Sequence, residues 1–331
     1  MQQMHQIQQM QQIQQILLVT IPFFALVLCG WAVTRARLLP LEAIPGLNVF
    51  VLFFALPCML YRFAATTPIV RLLDPTVSAV YLLCALLMLA LTLVSTRRGA
   101  VGWNDASFGA LVAAFPNSGF MGVPLLVALL GQRAAGPAIV ALAIDMIVTS
   151  SLCIALSRLD GASERGVSGA VGNALKGMLK NPLPWSIGLG SLTAATGFEL
   201  WEPARNTVGM LADGASPVAL FTLGAVLARP QKAAAIGATG GFGDVPLVVL
   251  YKLVVHPGLV LGIGTLAQAI GVPLDGFSLT VLVLIAALPS ASSIPMLAER
   301  FGADAGRIAR IVLFATVASF VTFSGAVALL V

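Results

Sequence analysis

Hydrophobic residues fill most of the chain in long stretches, and polar residues collect in the short gaps between them. A helix needs about 20 apolar residues to cross a bilayer. The strands of a membrane barrel would alternate polar and apolar positions, and these stretches do not. The pattern therefore predicts an all-α polytopic membrane protein with ten transmembrane segments, numbered here in chain order: 16–34, 44–63, 76–96, 105–130, 135–157, 182–199, 206–228, 246–270, 276–299 and 304–330.

Composition agrees with a lipid environment, since 59% of the 331 residues are hydrophobic and 9% are charged. Residues 1–15 are different, being rich in glutamine without any Lys or Arg, and so unlike the basic start of a signal peptide. We expect this run to be a disordered tail or a misassigned start. The net charge of +5 comes from dispersed basic residues, so the bilayer is the expected environment and no nucleic-acid partner is indicated.

The basic residues predict the orientation of the chain. With the N-terminus outside, four of the 18 Lys and Arg residues lie on the external side and Lys252 lies inside the membrane. The positive-inside rule then predicts a multi-pass protein of the bacterial inner membrane with both termini outside the cytoplasm. The other 13 fall in the cytoplasmic loops: Arg35, Arg37, Arg97, Arg98, Arg158, Arg165, Lys176, Lys180, Arg229, Lys232, Arg300, Arg307 and Arg310.

The segments divide into two halves of five. Residues 16–157 would form the first repeat, 158–181 a cytoplasmic linker and 182–331 the second repeat. Because five is an odd number, the halves must have opposite topology, so related halves would form an inverted repeat. Matching prolines support this reading, with paired prolines in segments 4 and 9 and a central one in segments 2 (Pro57) and 7 (Pro217).

The paired prolines predict broken helices in segments 4 and 9. A proline within a helix removes one backbone donor and clashes with the preceding turn. At membrane depth the freed backbone groups are tolerated where they are buried in protein or line a wet cavity. The N-terminal end of a half-helix offers free N–H groups and a positive partial charge, which suit a carboxylate. The alternative is that these prolines only kink packed helices.

The candidate substrate-binding residues come from the two breaks. Asn117 stands out because its amide can both donate to and accept from a ligand. Its alternative role is to cap the second half-helix of segment 4. The full set is Pro116, Asn117, Ser118, Gly119, Pro289, Ser290, Ser292 and Ser293.

Four further polar residues fall inside the apolar segments, where charges are costly and usually functional. They are Asp145, Asp213, Lys252 and His256. Lys252 and His256 are four residues apart and so share one helix face. They are candidates for pairing with a substrate carboxylate or for coupling to H⁺ or Na⁺. The alternatives are a structural ion pair, or a lysine that extends to the membrane interface.

Two motifs resemble a known family. Residues 115–126 resemble the PN(T/S)xxMGxPLL segment of the auxin efflux carrier family, which includes the plant PIN exporters, and residues 287–295 resemble its ALPxxxxxP segment. The resemblance implies two inverted five-helix repeats, with helices 4 and 9 broken and crossing at the substrate site. It also implies a scaffold beside a moving transport domain, and transport of an organic anion such as malonate or another dicarboxylate. The short 158–181 stretch differs from the long hydrophilic loop of plant members.

The sequence thus favours a secondary carrier of a small organic anion, a malonate- or auxin-like mono- or dicarboxylate, that works by alternating access at the crossing of helices 4 and 9. It has no GxxxxGK[ST] phosphate loop and no HExxH or GxSxG motif, so we expect neither an ATPase nor another enzyme, and no cofactor. The alternatives are a sodium- or proton-coupled carrier of another solute class, or a receptor or channel-like protein on the same fold. A homodimer through the scaffold helices is a further option.

Overall fold

The computed structural model describes residues 2–68, 74–97, 101–158, 182–228 and 243–331. Within these ranges the chain is helical and forms no β-strand. We number its helices α1 (Gln2–Arg35), α2 (Ala43–Thr66), α3 (Pro75–Thr96), α4 (Trp103–Ala114), α5 (Ser118–Leu130), α6 (Gln132–Leu156), α7 (Pro182–Thr196), α8 (Glu202–Ala228), α9 (Val245–Ala269), α10 (Gly276–Ala287), α11 (Ile294–Arg300) and α12 (Ala305–Leu330).

Six of the described helices are long and apolar enough to cross a bilayer, namely α2, α3, α6, α8, α9 and α12. They match predicted segments 2, 3, 5, 7, 8 and 10, with ends that differ by four residues at most. Segment 4 is divided into α4 and α5, and segment 9 into α10 and α11. The all-helical, multi-pass prediction therefore holds, while the arrangement as two inverted repeats stays a prediction.

The N-terminal helix begins at Gln2, so residues 2–15 are helical in the structure and not the disordered tail that their composition suggested. Glutamine has a good helix propensity. A glutamine run that leads without a breaker into an apolar helix can therefore continue that helix. The predicted linker at 158–181 lies almost wholly outside the described residues, which stop at 158 and resume at 182.

Widened helical turns accompany three of the prolines. Each of the π-helical turns Val51–Ala55, Ser118–Gly122 and Tyr251–Val255 is followed two residues later by Pro57, Pro124 or Pro257. A proline cannot donate to the carbonyl four residues before it. A π turn shifts the hydrogen bonding to five residues, and such turns are frequent at functional sites. A fourth π turn, Asp145–Thr149, has no proline after it.

The helices pack in two groups. In one group α8 packs on α1 and α2, and α7 packs on α2. Contact between α1 and α8 is at backbone level, since a Cβ on Gly224 would lie 1.8 Å from the carbonyl oxygen of Val27 and a Cβ on Gly30 would lie 1.9 Å from that of Phe221. Small residues allow this close crossing in a membrane. In the other group α3, α4, α6, α9, α10 and α12 pack around the two helix breaks.

Candidate functional site

The two broken segments meet at their breaks. Pro116 and Ser290 stand opposite each other in an isolated antiparallel β-bridge. The amide of Asn117 donates to the carbonyl of Pro289 at 2.8 Å, and the amide of Ala291 donates to the carbonyl of Phe115 at 3.0 Å. The two unwound stretches thus form hydrogen bonds to each other's free backbone N–H and C=O groups, which need partners because they are buried.

A side chain from segment 9 caps the first half of segment 4. Pro116 has no N–H, so the carbonyl of Val112, four residues earlier, lacks its helical partner. The hydroxyl of Ser290 donates to that carbonyl at 2.7 Å, and Ser290 is fully buried. Ser290, which the sequence offered as a substrate ligand, is therefore engaged in holding the crossing together.

A second cap comes from α9. The ammonium group of Lys252 donates to the carbonyl of Ala286, near the C-terminal end of α10, at 2.7 Å. The same group shares a hydrogen bond of 3.2 Å with Nδ1 of His256. A cation at a helix C-terminus is favourable because the last carbonyls carry a negative partial charge. Lys252 therefore supports the break of segment 9 much as Ser290 supports that of segment 4.

A cavity of about 430 Å³ lies against the crossing. That volume is in the usual range for small-ligand sites. Its apolar walls come mainly from α2, α6 and α11, and its polar lining includes Asn117, Ser292 and Ser293 from the breaks. Gly119 also lines it, and a Cβ there would be 3.6 Å from the nearest atom, a side-chain carbon of Leu142.

Asn117 is the polar group of the crossing with an unmet hydrogen bond. The residue is 3% exposed and lines the cavity. Its side-chain nitrogen Nδ2 is buried and has no partner among the described residues, and the side chain does not cap the following helix. An unpaired buried donor costs free energy comparable to a lost hydrogen bond. This amide nitrogen therefore lacks the hydrogen bond that its burial calls for, in a residue that lines the cavity.

The remaining break residues divide between the cavity and the packing around it. Pro116, Gly119, Ser292 and Ser293 line the cavity. Ser118, Pro289 and Ser290 do not belong to its lining, and both serines are fully buried.

A buried polar cluster lies next to the crossing. The hydroxyl of Tyr81 donates to Oδ2 of Asp145 at 2.8 Å, and that of Thr149 donates to Oδ1 at 3.2 Å. The ring of Tyr81 is 6.3 Å from that of His256, which bonds Lys252. Tyr81, Asp145, Lys252 and His256 are all 0% exposed, and Nε2 of His256 has no partner among the described residues. The structure thus brings together three of the four predicted intramembrane polar groups.

Asp213 lies apart from this cluster. Its carboxylate accepts a hydrogen bond of 2.7 Å from Arg62, and the Asp213 side chain is 73% exposed. The pair joins α2 to α8. An exposed pair of this kind usually contributes 0–1 kcal/mol to stability.

Sequence reasoning missed three polar residues of the cavity wall. Ser150 and Ser151 enter from α6, where the hydroxyl of Ser150 donates to the carbonyl of Asp145 at 2.9 Å. Arg300, at the end of α11, also lines the cavity, although its position in the sequence suggested only a loop charge. The C-terminal part of an apolar helix and the end of a short one carry no local pattern that marks a site.

The chain matches the family model described as "Membrane transport protein" over residues 15–165 and 167–327. It is 28% identical over 313 residues to a protein of Rhizobium meliloti (strain 1021) that bears the name "Putative malonate transporter", and the match covers 93% of each chain. The matched ranges include both breaks and every residue of the cavity wall. The chain therefore belongs to the membrane transport protein family, the family of the auxin efflux carriers.

Proposed function

We propose that this protein is a secondary carrier of a small organic anion, and that it binds the anion's carboxylate in the cavity at the crossing of segments 4 and 9. The observation that carries the proposal is the unpaired, buried amide nitrogen of Asn117, a residue that lines the cavity at the crossing. A ligand oxygen there would satisfy a donor that the protein leaves unsatisfied. The name of the Rhizobium meliloti relative, which refers to malonate, agrees with a carboxylate substrate.

Backbone amides would add to this contact. The first turn of a helix leaves its N–H groups without intrahelical partners. The helix α5 starts at Ser118, and its next two residues, Gly119 and Phe120, both line the cavity. The hydroxyls of Ser292 and Ser293 come from the opposite break. Together these donors could surround a carboxylate while the apolar wall covers the rest of a small molecule.

Alternating access would come from movement of one helix group against the other. The group of α1, α2, α7 and α8 would be the scaffold, and the group that contains both breaks would move. Two inverted repeats of five helices, with both termini outside the cytoplasm of a bacterial inner membrane, supply the topology for this motion. The site then lies between the groups, since Leu52 and Leu56 of α2 line the cavity together with the breaks.

The buried cluster is our candidate for ion coupling. This cluster contains three ionisable side chains, Asp145, Lys252 and His256, and all three are fully buried. Lys252 also donates to the carbonyl of Ala286 at the break. Intramembrane carboxylate and histidine groups commonly form proton relays. We propose H⁺ as the coupling ion, with Na⁺ as the alternative at Asp145.

Uptake into proteoliposomes tests the carrier proposal. Purified protein reconstituted in vesicles should accumulate labelled malonate above its external concentration when an ion gradient is imposed, and excess unlabelled malonate should block the uptake. Equilibration without accumulation would indicate a passive channel. Absence of both binding and flux for a panel of mono- and dicarboxylates would favour a receptor or a carrier of another solute class.

A further inference from the structure

Arg300 gives the cavity a charge that the crossing itself lacks. It is the one charged residue among those described around the cavity, which includes no Asp or Glu. It belongs to the last turn of α11, the short helix that follows the second break. An anion that enters this cavity would therefore meet a positive group and no described negative one.

Among the described residues, the guanidinium of Arg300 has no partner. Ion pairs among the described residues join Arg62 to Asp213 and Arg307 to Asp244, and neither involves Arg300. Arg307 differs from Arg300 because its guanidinium is buried and already engaged. Besides its ion pair, it donates to the backbone carbonyl of Asp105 at 2.7 Å. No hydrogen bond of Arg300 is found within the described part of the chain, and the residue is exposed.

The geometry of α11 directs this side chain toward the crossing. Six residue steps separate Ile294 from Arg300, which gives about 9 Å along the helix axis. Each Cα–Cβ bond in an α-helix tilts toward the N-terminus. The Cα–Cβ bond of Arg300 therefore tilts toward the end of α11 that follows the break, and the residue lines the same cavity as Asn117.

We propose that Arg300 binds a second carboxylate and thereby makes the cavity selective for short dicarboxylates over monocarboxylates. This inference rests on the proposed function, in which the first carboxylate lies at Asn117. The planar guanidinium presents a fork of donors that matches a carboxylate in bidentate geometry. A monocarboxylate held at the crossing leaves Arg300 hydrated, so Arg300 adds nothing to its binding affinity.

The test compares malonate with malonamate, which has nearly the same size but an amide in place of one carboxylate. Dissociation constants are measured by isothermal titration for the wild type, Arg300→Gln, Arg300→Lys and Arg310→Gln. Arg310 is the matched control, an exposed arginine on α12 that does not line the cavity. Hydrogen bonds to charged groups contribute about 1.5–3 kcal/mol, which corresponds to roughly 10- to 100-fold in affinity.

We expect Arg300→Gln to weaken malonate binding by about 10- to 100-fold, as for a hydrogen bond to a charged group. Malonamate binding should change by less than about threefold, the low end for a hydrogen bond between neutral groups. Arg300→Lys should recover part of the loss, and Arg310→Gln should have no effect. Equal weakening of both ligands, or malonate binding unchanged in Arg300→Gln, would overturn the proposal. The wild type alone also tests it, because equal affinity for malonate and malonamate contradicts a second carboxylate contact. A wild type that binds neither compound would instead refute the proposed function.

Discussion

The hydroxyl of Ser290 donates to the carbonyl of Val112, the group that Pro116 leaves without a helical partner. The two broken segments therefore do not merely touch, because one completes the hydrogen bonding of the other. The β-bridge between Pro116 and Ser290 places this donor directly opposite the proline that creates the need for it. In a single helix the break would leave a buried carbonyl unsatisfied, and here the second broken segment supplies the missing donor.

Replacing Ser290 with alanine should destabilise the protein. The carbonyl of Val112 would be left buried and unsatisfied, at a cost of about 1–3 kcal/mol. The midpoint of thermal unfolding in detergent should fall. Ser292→Ala is the matched control, because the Ser292 side chain faces the cavity and caps no described carbonyl, so its midpoint should stay near that of the wild type. Equal midpoints for the two variants would contradict the capping role.

Replacing Lys252 with methionine should reduce transport without preventing insertion. The change removes the donor to the carbonyl of Ala286 and with it the support of the second break. The loss of a charged hydrogen bond should reduce malonate uptake about tenfold or more. Lys252→Arg keeps the positive charge and should retain part of the activity. Undiminished uptake by Lys252→Met, at equal protein per vesicle, would show that Lys252 has no role in transport.

Asp145→Asn should uncouple transport from a proton gradient. The asparagine oxygen can still accept from Tyr81 or Thr149, so the fold should survive while the negative charge is lost. The other titratable groups of the cluster, Tyr81, Lys252 and His256, remain. We expect wild-type uptake to respond to an imposed pH gradient and not to a sodium gradient, and the variant to lose the response to pH. If a sodium gradient stimulates uptake by the wild type, Na⁺ and not H⁺ is the coupling ion.

Contact between α1 and α8 depends on glycine. In Gly224→Ala the new methyl would lie 1.8 Å from the carbonyl oxygen of Val27, so the two backbones must separate and the unfolding midpoint should fall. Gly214→Ala on the same helix meets nothing within 4 Å. Alanine there should leave the midpoint unchanged or raise it, since alanine favours a helix over glycine by about 1 kcal/mol. A similar fall in both variants would argue against close packing of these helices.

Much of the fold could be predicted because it depends on local chemistry. Hydropathy predicts ten apolar segments, and six of them correspond to long helices that begin and end within four residues of the predicted bounds. The positions of the breaks follow from the paired prolines of segments 4 and 9, since a proline in a helix interior removes a backbone donor and clashes with the preceding turn. A single proline is not sufficient, because Pro22 and Pro217 lie within continuous helices. The shared face of Lys252 and His256 follows from their spacing of four, and the structure joins them by a hydrogen bond of 3.2 Å.

Features that depend on long-range pairing could not be predicted. Nothing near Ser290 shows that its hydroxyl is used by Val112, 178 residues earlier in the chain. Asp213 has an apolar neighbourhood in the sequence, yet its partner is Arg62 on another helix. In the sequence Arg300 resembles any loop arginine, and only the folded structure places it in the cavity wall. Residues 2–15 are helical although their composition suggests a disordered tail, because glutamine has a good helix propensity and the run leads directly into an apolar helix.

The affinity of Asn117→Ala for malonate, measured on purified protein by isothermal titration, tests the central claim most directly. The alanine removes the unpaired amide donor at the crossing, and Asn117 makes no side-chain cap that the fold would lose. Thermal unfolding should therefore remain close to wild type while malonate binding weakens by about tenfold or more. Wild-type affinity in a correctly folded Asn117→Ala protein would contradict the placement of the substrate at this crossing.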